Sequence, residues 1–457
     1  MMQMRIKLPV MMLLLSLAFP AGLAALDPDE TGKIQVLSMA EAREYAVKHS
    51  TTTQNARLDT SAAKKKIWET TASGLPQVSA KVSYMNNLKI PTTLIPAEFL
   101  NPNAEPGTFI GVKFGAQHNA TLELTVDQMI FNGAYIVGLQ ASRIYLQLSR
   151  ERLTKSEIDV KETVTNTYYL ILLAEDNRKT LETSLENIRK TLYETKELHR
   201  VGFSEDTDVD QLQLSVTDLE NAVNSIKRQI EISYNLLKFQ MGFDLQKEIR
   251  LSQSLEDILT DINDQELLTT EFKLFNHIDY RMMDTQEKSF KLLLKKEKAD
   301  YLPTISTFFS HSRMAMRDSF NFFRKGEWYP SSVVGLNINI PIFSSGMRGA
   351  RVAQAKIELQ KAGNLKKQAA DGLQLELLQS RSAFSDALEK KQGSKQNVDL
   401  AKKIYDKTLV KYANGTISSL ELTQVHNQYL TAESNYTRAV VELLTAKTRL
   451  DKSLNRL

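Results

Sequence analysis

The stretch VGLNINIPIFSSGMRG, residues 334–349, contains a strand pattern that changes directly into a helix pattern. From Val334 to Ile340, apolar residues alternate with glycine and asparagine, which predicts a strand with one apolar and one polar face. Pro341 and Gly346 interrupt the pattern, and the residues that follow have helical spacing with no second strand for pairing. A two-faced strand that leads straight into a long helix is therefore the first feature that the fold must accommodate.

The same change from strand to helix occurs upstream. Residues 121–126 alternate polar and apolar side chains, reach the FNG sequence at residues 131–133, and then become helical. A further strand pattern precedes each example, GLPQVSAKVSY at residues 74–84 and YLPTISTFFSH at residues 301–311. Both contain an aligned Leu-Pro pair near their start, which indicates that the two halves of the chain follow one plan.

The long helices repeat in register as well. A heptad series in the first half matches a second series at one constant offset, with Leu212 corresponding to Val425. The first series is Leu212, Val216, Leu219, Val223, Ile226, Ile230 and Leu237, and the second is Val425, Tyr429, Ala432, Tyr436, Ala439, Leu443 and Leu450. Two independent coiled-coil segments would not usually keep the same register at one fixed offset. The sequence therefore predicts an internal duplication.

The predicted domains follow from this duplication. They are a signal peptide at 1–24, a first repeat at 25–242, a linker or equatorial segment at 243–267 and a second repeat at 268–457. In the first repeat we predict a short helix opened by a capping box at residues 38–41, a second helix, strands at about 76–87 and 109–130, a long helix at about 134–200 and a return helix at about 205–241. In the second repeat we predict a helix, strands at about 303–316 and 331–342, a long helix at about 346–412 and a return helix at about 418–455.

The N-terminal residues have the pattern of a secretory signal peptide. Arg5 and Lys7 precede the apolar run LPVMMLLLSLAF, and the small residues of AGLAA follow, which predicts cleavage near Ala24 or Ala25. An uncleaved membrane anchor is the alternative, but the apolar run is short for a bilayer-spanning helix. No other stretch approaches the roughly 20 apolar residues of a membrane helix. We therefore expect an exported chain that can cross a membrane only through strands.

The composition and the absence of motifs exclude several function classes. The formal net charge of +4 argues against nucleic acid as a partner. The lack of cysteine excludes disulfides and thiolate chemistry. The six histidines show no HExxH or His-x-His spacing, and the chain has neither a Walker A sequence nor a GxGxxG sequence. We therefore expect no enzyme activity, no catalytic residues, no cofactor and no metal site.

The fold class follows from the two kinds of pattern together. Long helices with heptads in antiparallel pairs predict coiled coils, so we expect a mainly α fold with some β structure. A coiled-coil rod alone would not explain four two-faced strands that lie between the helices. Four strands cannot close a barrel, because the smallest barrels have about eight, and open edges are not viable in lipid. If these strands cross a membrane, several chains must share one barrel.

This organisation resembles the TolC family of trimeric outer-membrane channels for efflux and type I secretion. The resemblance rests on the two Leu-Pro pairs, on IPIFSSGMRGARVAQAKI, and on two hairpin tips, RVGFSEDTDVDQLQLSV at 200–216 and YANGTISSLELTQV at 412–425. It implies a homotrimer in which each protomer contributes four strands to a 12-stranded transmembrane β-barrel, continued by an α-helical barrel across the periplasm. It also implies an exit duct in the outer membrane that passively conducts substrates from an inner-membrane pump or ABC transporter through a periplasmic adaptor. A periplasmic adaptor or coiled-coil scaffold without a channel is the alternative.

The resemblance implies three groups of functional residues. The periplasmic entrance or gate would contain Asp206, Asp208, Asp210, Glu421 and Gln424; the adaptor-docking tips would contain Val201, Gly202, Phe203, Asn414, Gly415 and Thr416; and the strand-to-helix swivel would contain Gly133, Pro341 and Gly346. In a threefold assembly, each lumen-facing carboxylate becomes a ring of three that concentrates cations. The alternatives are solvated acids that cap the returning helix and a Phe203 that packs against its own hairpin. Ile417 and Gln424 depart from the family pattern, which expects basic and acidic gating residues there.

Two further features lie between the predicted strands. The Pro-rich insert at residues 90–107 predicts an external loop whose apolar residues could cover the barrel mouth or bind something outside. Trp328 and Tyr329 precede the last strand, where they could form part of an interfacial aromatic belt or pack within an external loop.

Overall fold

The computed structural model describes residues 34–262 and 264–457. The predicted signal peptide, residues 1–24, lies outside the described residues. Among the residues that are described, no helix combines the length and the apolar composition that crossing a membrane requires.

The chain is mainly helical with strands between its helices, which confirms the predicted fold class. The helices are α1 (Met39–His49), α2 (Thr51–Ala72), α3 (Gly133–Arg200), α4 (Asp206–Met241), α5 (Leu255–Thr260), α6 (Asp264–Thr269), α7 (Ile278–Ala299), α8 (Met347–Ala413) and α9 (Ser419–Ser453). The strands are β1 (Gln35–Leu37), β2 (Gln77–Asn86), β3 (Thr92–Pro96), β4 (Phe109–Lys113), β5 (His118–Phe131), β6 (Ile249–Leu251), β7 (Thr304–Arg317) and β8 (Tyr329–Asn339).

Four strands form the main sheet, which is antiparallel and has the order β2-β5-β7-β8. Val82 lies opposite Leu122, and Phe309 lies opposite Val334, so apolar side chains from all four strands share one face. The alternate positions, on the other face, carry mainly serine, threonine and asparagine. Within the described residues, β2 and β8 have no strand partner along their outer edges. The main sheet therefore has two dissimilar faces and two open edges.

The long helices join the main sheet at one end only. α2 and α7 lead into β2 and β7, and β5 and β8 lead into α3 and α8. The opposite end of the sheet, which we call the far end, lies at Asn86, His118, Arg317 and Tyr329. Each two-faced strand therefore has one end attached to a helix and one end attached to a loop.

The structure divides the strand predicted at about 109–130 into two strands. Gly115, with a φ of +128°, lies in the break between β4 and β5 and has a backbone conformation that strands do not use. β4 pairs instead with β3 in a separate two-stranded sheet. β3 lies within the insert predicted to be an external loop, so part of this insert pairs with the strand that directly follows it.

α3 with α4, and α8 with α9, form two long helical hairpins. α3 has 68 residues and α8 has 67, so each is about 100 Å long at ~1.5 Å per residue. Near the hairpin tips, one apolar core joins all four helices. It contains Leu185, Ile188 and Leu192 of α3, Leu212, Val216, Leu219 and Val223 of α4, Val398 and Tyr405 of α8, and Leu422 and Tyr429 of α9. Predicted heptad positions thus supply much of the packing between the hairpins.

A second apolar core lies beside a short pair of parallel strands, β1 and β6. β6 lies in the linker or equatorial segment predicted at 243–267, where the sequence predicts no strand. The Tyr168 hydroxyl, on a fully buried ring of α3, donates to the carbonyl of Leu37 at 3.2 Å. Ser38 then caps α1 through the predicted capping box with Glu41. Gln253 of the equatorial segment accepts from the Met39 N–H at 3.0 Å and from the Tyr168 hydroxyl at 3.4 Å, so this segment attaches the first helix to the middle of α3.

Candidate functional site

Gly133 and Gly346, the two glycines predicted to redirect strand into helix, meet different physical requirements. A Cβ on Gly133 would lie 2.9 Å from Leu302 Cδ1, so glycine allows the start of α3 to approach the residues that follow α7. Gly346 precedes α8 with a φ of +81°, and apart from its chain neighbours no described residue has an atom within 4 Å of an added Cβ, so its requirement is conformational. Pro341 lies between β8 and α8, where its carbonyl accepts a hydrogen bond from Arg348 at 2.7 Å.

The two hairpin tips share one pattern of backbone hydrogen bonds. Each tip has a glycine with positive φ, +82° at Gly202 and +68° at Gly415. The N–H of each glycine donates to the carbonyl three residues earlier, and the next N–H donates to the carbonyl five residues earlier. These bonds are Gly202 to His199 (2.9 Å), Phe203 to Leu198 (2.9 Å), Gly415 to Tyr412 (2.8 Å) and Thr416 to Lys411 (3.1 Å). The pattern ends a helix and reverses the chain, and it requires the left-handed glycine.

Asp208 lies in the first turn of α4, where it completes a capping box with Glu205. Its Oδ2 accepts from the Glu205 N–H at 3.3 Å and from the Ser204 hydroxyl at 3.2 Å. Its Oδ1 accepts from the N–H of Ser419, the first residue of α9, at 3.3 Å. One carboxylate therefore caps α4 and also joins the two hairpin tips.

Two further contacts join the tips, and the sequence analysis assigned no role to their residues. The Ser419 hydroxyl donates to Gln211 Oε1 at 2.8 Å. The Thr195 and Tyr412 hydroxyls lie 2.8 Å apart and share a hydrogen bond. Burial raises the pKa of Tyr412, so its hydroxyl stays protonated and available for this bond. These contacts join residues distant in sequence, so no local spacing could have revealed them.

The charge state of Asp208 follows from its surroundings. Partial burial acts to raise the pKa of Asp208, but hydrogen bonds from Ser419, Glu205 and Ser204 favour the charged form more strongly. The net effect lowers the pKa below the ordinary aspartate value of 3.8. The carboxylate is therefore charged at neutral and mildly acidic pH, and its bonds to both tips persist over that range.

The structure sets Asp208 apart from the other predicted entrance residues. Asp206, Asp210, Glu421 and Gln424 are all exposed. Asp206 lies 3.9 Å from His199 Nε2, whereas no hydrogen bond or ion pair within the described part of the chain occupies the side chains of the other three. Glu421 and Gln424 lie three residues apart on α9 and therefore on one side of that helix. Their charged and polar groups are available to solvent or to another chain.

A groove of about 980 Å³ runs between the two tips. Of the predicted docking residues, Val201, Gly202, Phe203 and Gly415 line this groove, whereas Asn414 and Thr416 are exposed at the second tip. Phe203 is 83% exposed, so it does not pack against its own hairpin. An aromatic ring is thus left uncovered beside the reversal of the first hairpin.

A buried imidazole lies in the core near the tips, and the sequence analysis did not single it out. His426 of α9 is buried against Tyr405, with ring centroids 4.9 Å apart, and Tyr405 stacks on Tyr429 at 5.7 Å. Its Nε2 has no hydrogen-bond partner among the described residues, and burial lowers the pKa of His426 to about 4. The available signal was spacing, because His426 lies three residues before the heptad position Tyr429 and shares its helix face.

Comparisons with known proteins give one family model that matches most of the chain and several solved structures with a similar fold. Residues 43–242 and 284–456 match the model of the outer membrane efflux protein family. The fold is similar to the outer membrane channel CmeC of Campylobacter jejuni, with 16% identity over 94% of this chain and 90% of that chain and a TM-score of 0.68. It is similar to the MtrE outer membrane channel of Neisseria gonorrhoeae in its open state, with 15% identity over 91% and 88% and a TM-score of 0.69. It is also similar to the outer membrane protein VceC of Vibrio cholerae, with 14% identity over 91% and 95% and a TM-score of 0.66. No curated protein sequence matches the chain significantly.

Proposed function

The chain belongs to the outer membrane efflux protein family, and on that premise we propose that three copies form one continuous conduit. The family consists of efflux channels rather than enzymes, so the chain is an exit duct of an efflux system, located in the outer membrane and extending into the periplasm. Membership also excludes the alternative of a periplasmic adaptor. The proposal concerns how the copies assemble and which residues serve the entrance and the docking surface.

The open edges of the main sheet support a shared barrel. β2 runs away from the helices and β8 runs toward them, so β8 of one copy can pair antiparallel with β2 of the next. Three copies of four strands give 12 strands with no edge left open, which lipid requires. The internal duplication then gives each chain two similar portions of the conduit wall.

The two faces of the main sheet support its orientation in the barrel. The apolar face, with Val334 76% exposed, would lie against lipid, and the face rich in serine and threonine would line the lumen. Lys81 and Glu123 lie opposite each other on the latter face, where water can solvate their charges. In this orientation the helical hairpins continue the lumen into the periplasm, and Gly133, Pro341 and Gly346 redirect each wall from strand to helix.

The hairpin tips would form the periplasmic entrance and the docking surface. Asp206, Asp210 and Glu421 are exposed near the tips, so each would become a ring of three carboxylates that favours cations. Asp208 would serve the same gate by holding the two tips together rather than by facing the lumen as a free charge. The groove that contains Phe203 would receive a periplasmic adaptor, through which an inner-membrane pump or ABC transporter delivers substrates for passive conduction.

The observation that best supports the shared barrel is the pair of open edges on a two-faced sheet. The proposal is tested by measuring the native mass of the detergent-extracted protein. We expect a trimer that fractionates with the outer membrane, requires detergent and forms channels in planar bilayers. A soluble monomer or dimer in the periplasm would overturn the shared barrel and leave a coiled-coil scaffold.

A further inference from the structure

The apolar face of the main sheet changes character toward the far end. Nearer the helices, this face carries aliphatic residues such as Leu124 and Leu336, which are exposed in the single chain. Nearer the far end, the strand register places Arg313 between Leu122 of β5 and Pro330 of β8, on this same face. Along β7 this face runs from Phe309 through His311, which is hydrogen-bonded to Ser332 at 2.8 Å, to Arg313, so its polar and basic residues lie toward the far end.

Arg313 has an exposed side chain that makes no hydrogen bond or ion pair with any described residue. Charged residues on the lipid face of a membrane strand are strongly disfavoured at the midplane and tolerated near the interfaces. An arginine at such a level extends its guanidinium to the headgroup layer while its methylene groups remain on apolar surface. Arg313 thus marks the level at which the headgroups would begin.

Contacts at the end of β7 hold the loop that joins β7 to β8 in a defined position. Arg317 donates to the side-chain oxygen of Asn321 at 2.8 Å, and its guanidinium lies 5.3 Å from the centroid of the Phe322 ring. Phe322 also lies 6.0 Å from Tyr84 of β2 and 6.2 Å from Trp328, measured between ring centroids. Aromatic groups at this level are typical of the membrane interface of strands. The loop therefore has a defined position, and Arg324 and Lys325 lie on it.

The loop carries two exposed basic residues. Arg324 and Lys325 are exposed, and their side chains have no partner in the part of the chain that the structure describes. Phe323 beside them is 92% exposed. Residues 313–327 contain four basic residues and two acids, Asp318 and Glu327, and Glu327 accepts a hydrogen bond from the Tyr329 hydroxyl at 3.0 Å. A forked guanidinium and an ammonium group suit phosphate oxygens, and the adjacent apolar surface suits acyl chains.

We propose that the far end of the main sheet binds the phosphate groups of anionic lipids in the outer leaflet through Arg313, Arg324 and Lys325. The inference rests on the proposed function, because the apolar face must lie against lipid. Positive charge alone would also attract free phosphate, but the continuity with the aliphatic face selects an occupant that has both phosphate and acyl chains. The trimer would carry three such sites.

The test uses the detergent-purified trimer, first shown to conduct in planar bilayers. Binding of a diphosphorylated glycolipid, its monophosphorylated form and neutral phosphatidylethanolamine is measured by native mass spectrometry, with inorganic phosphate as a competitor. The variants are Arg313→Gln and the loop double variant Arg324→Gln/Lys325→Gln, and the matched control is Lys81→Gln on the opposite face. Each removed charge is expected to weaken binding of the diphosphorylated lipid about fivefold, so the double variant should lose roughly 25-fold. Lys81→Gln should stay within about twofold of the parent.

Several outcomes would overturn the proposal. They are equal binding of neutral and diphosphorylated lipid, parent-like binding by the double variant, an equal loss in Lys81→Gln, and full displacement by millimolar inorganic phosphate. If Arg313→Gln fails to assemble, the loop double variant carries the test, because its residues lie outside the strands. A channel that conducts but shows no preference for phosphate contradicts this inference alone, whereas a protein that neither fractionates with membranes nor conducts contradicts the proposed function.

Discussion

Replacing Asp208 by alanine should loosen the two hairpin tips, because this carboxylate both caps α4 and bonds α9. The lost cap is worth about 1 kcal/mol. The lost bond to the Ser419 N–H is also worth about 1 kcal/mol, which is less than the roughly 1.5–3 kcal/mol typical of a charged acceptor because the distance is 3.3 Å and Asp208 is partly exposed. The sum of about 2 kcal/mol corresponds to roughly a 30-fold change in the local opening equilibrium.

The assay is amide hydrogen exchange of the assembled protein, read at peptides that cover both tips. Asp208→Ala should reduce protection roughly 30-fold at residues 204–212 and roughly fivefold at residues 416–425, which lose only the bond to Ser419, with the equatorial core unchanged. The loss of protection in the second tip is the more informative result, because the substitution lies in the first tip and can reach the second only through the bond between them. Asp208→Ala should also increase the conductance of single channels if the bond holds a gate closed.

Asp210→Ala is the matched control. It removes the same charge two residues after Asp208, but the Asp210 carboxylate is exposed and has no hydrogen bond within the described residues. It should leave exchange at both tips unchanged. The lowered pKa of Asp208 means that its contribution is present above about pH 3.8 and is lost only as the pH falls through the lower folded value. The difference between Asp208→Ala and the parent should therefore be the same at pH 7 and pH 5. Unchanged exchange in the second tip, or an equal effect of Asp210→Ala, would refute the reasoning.

Three further predictions test other parts of the conduit. Asp210→Asn combined with Glu421→Gln should lower cation selectivity in planar bilayers without changing amide hydrogen exchange at the tips. An unchanged reversal potential would count against the proposed carboxylate rings. Gly133→Ala should lower the yield of trimer by crowding Leu302, at a cost of about 1–3 kcal/mol. Gly346→Asn should be tolerated, because asparagine adopts positive φ. A lower yield of trimer for Gly346→Asn than for Gly133→Ala would contradict the two assigned roles. His426 is buried with a pKa lowered to about 4, so its contribution makes the tips less stable as the pH falls from about 6.5 to 4, by up to about 3 kcal/mol. His426→Phe should remove this part of the pH dependence of amide hydrogen exchange at the tips. A pH profile identical to that of the parent would exclude the imidazole as the source of this dependence.

The sequence by itself determined the elements whose signals are periodic. Alternation around residue 334 specifies a strand with two faces, because successive side chains point to opposite sides of a sheet. The heptads of α4 and α9 specify helices that pack along one seam, because residues three and four apart share a helix face. The order of these elements, repeated in both halves, was sufficient to indicate the family of outer-membrane efflux channels.

Only the tertiary structure decided the contacts between residues that are distant along the chain. From the sequence, Asp208 could be an entrance carboxylate or a cap of the returning helix, and only the structure shows that it also bonds Ser419, which is 211 positions away. Gly133 and Gly346 appeared equivalent, but one is required by the approach of a neighbouring side chain and the other by its own backbone angle. The parallel pair of β1 with β6 and the pair of β3 with β4 were likewise missed. Local periodicity reports which way a side chain faces, whereas its partner depends on how whole elements pack, and that is fixed only when the chain is folded.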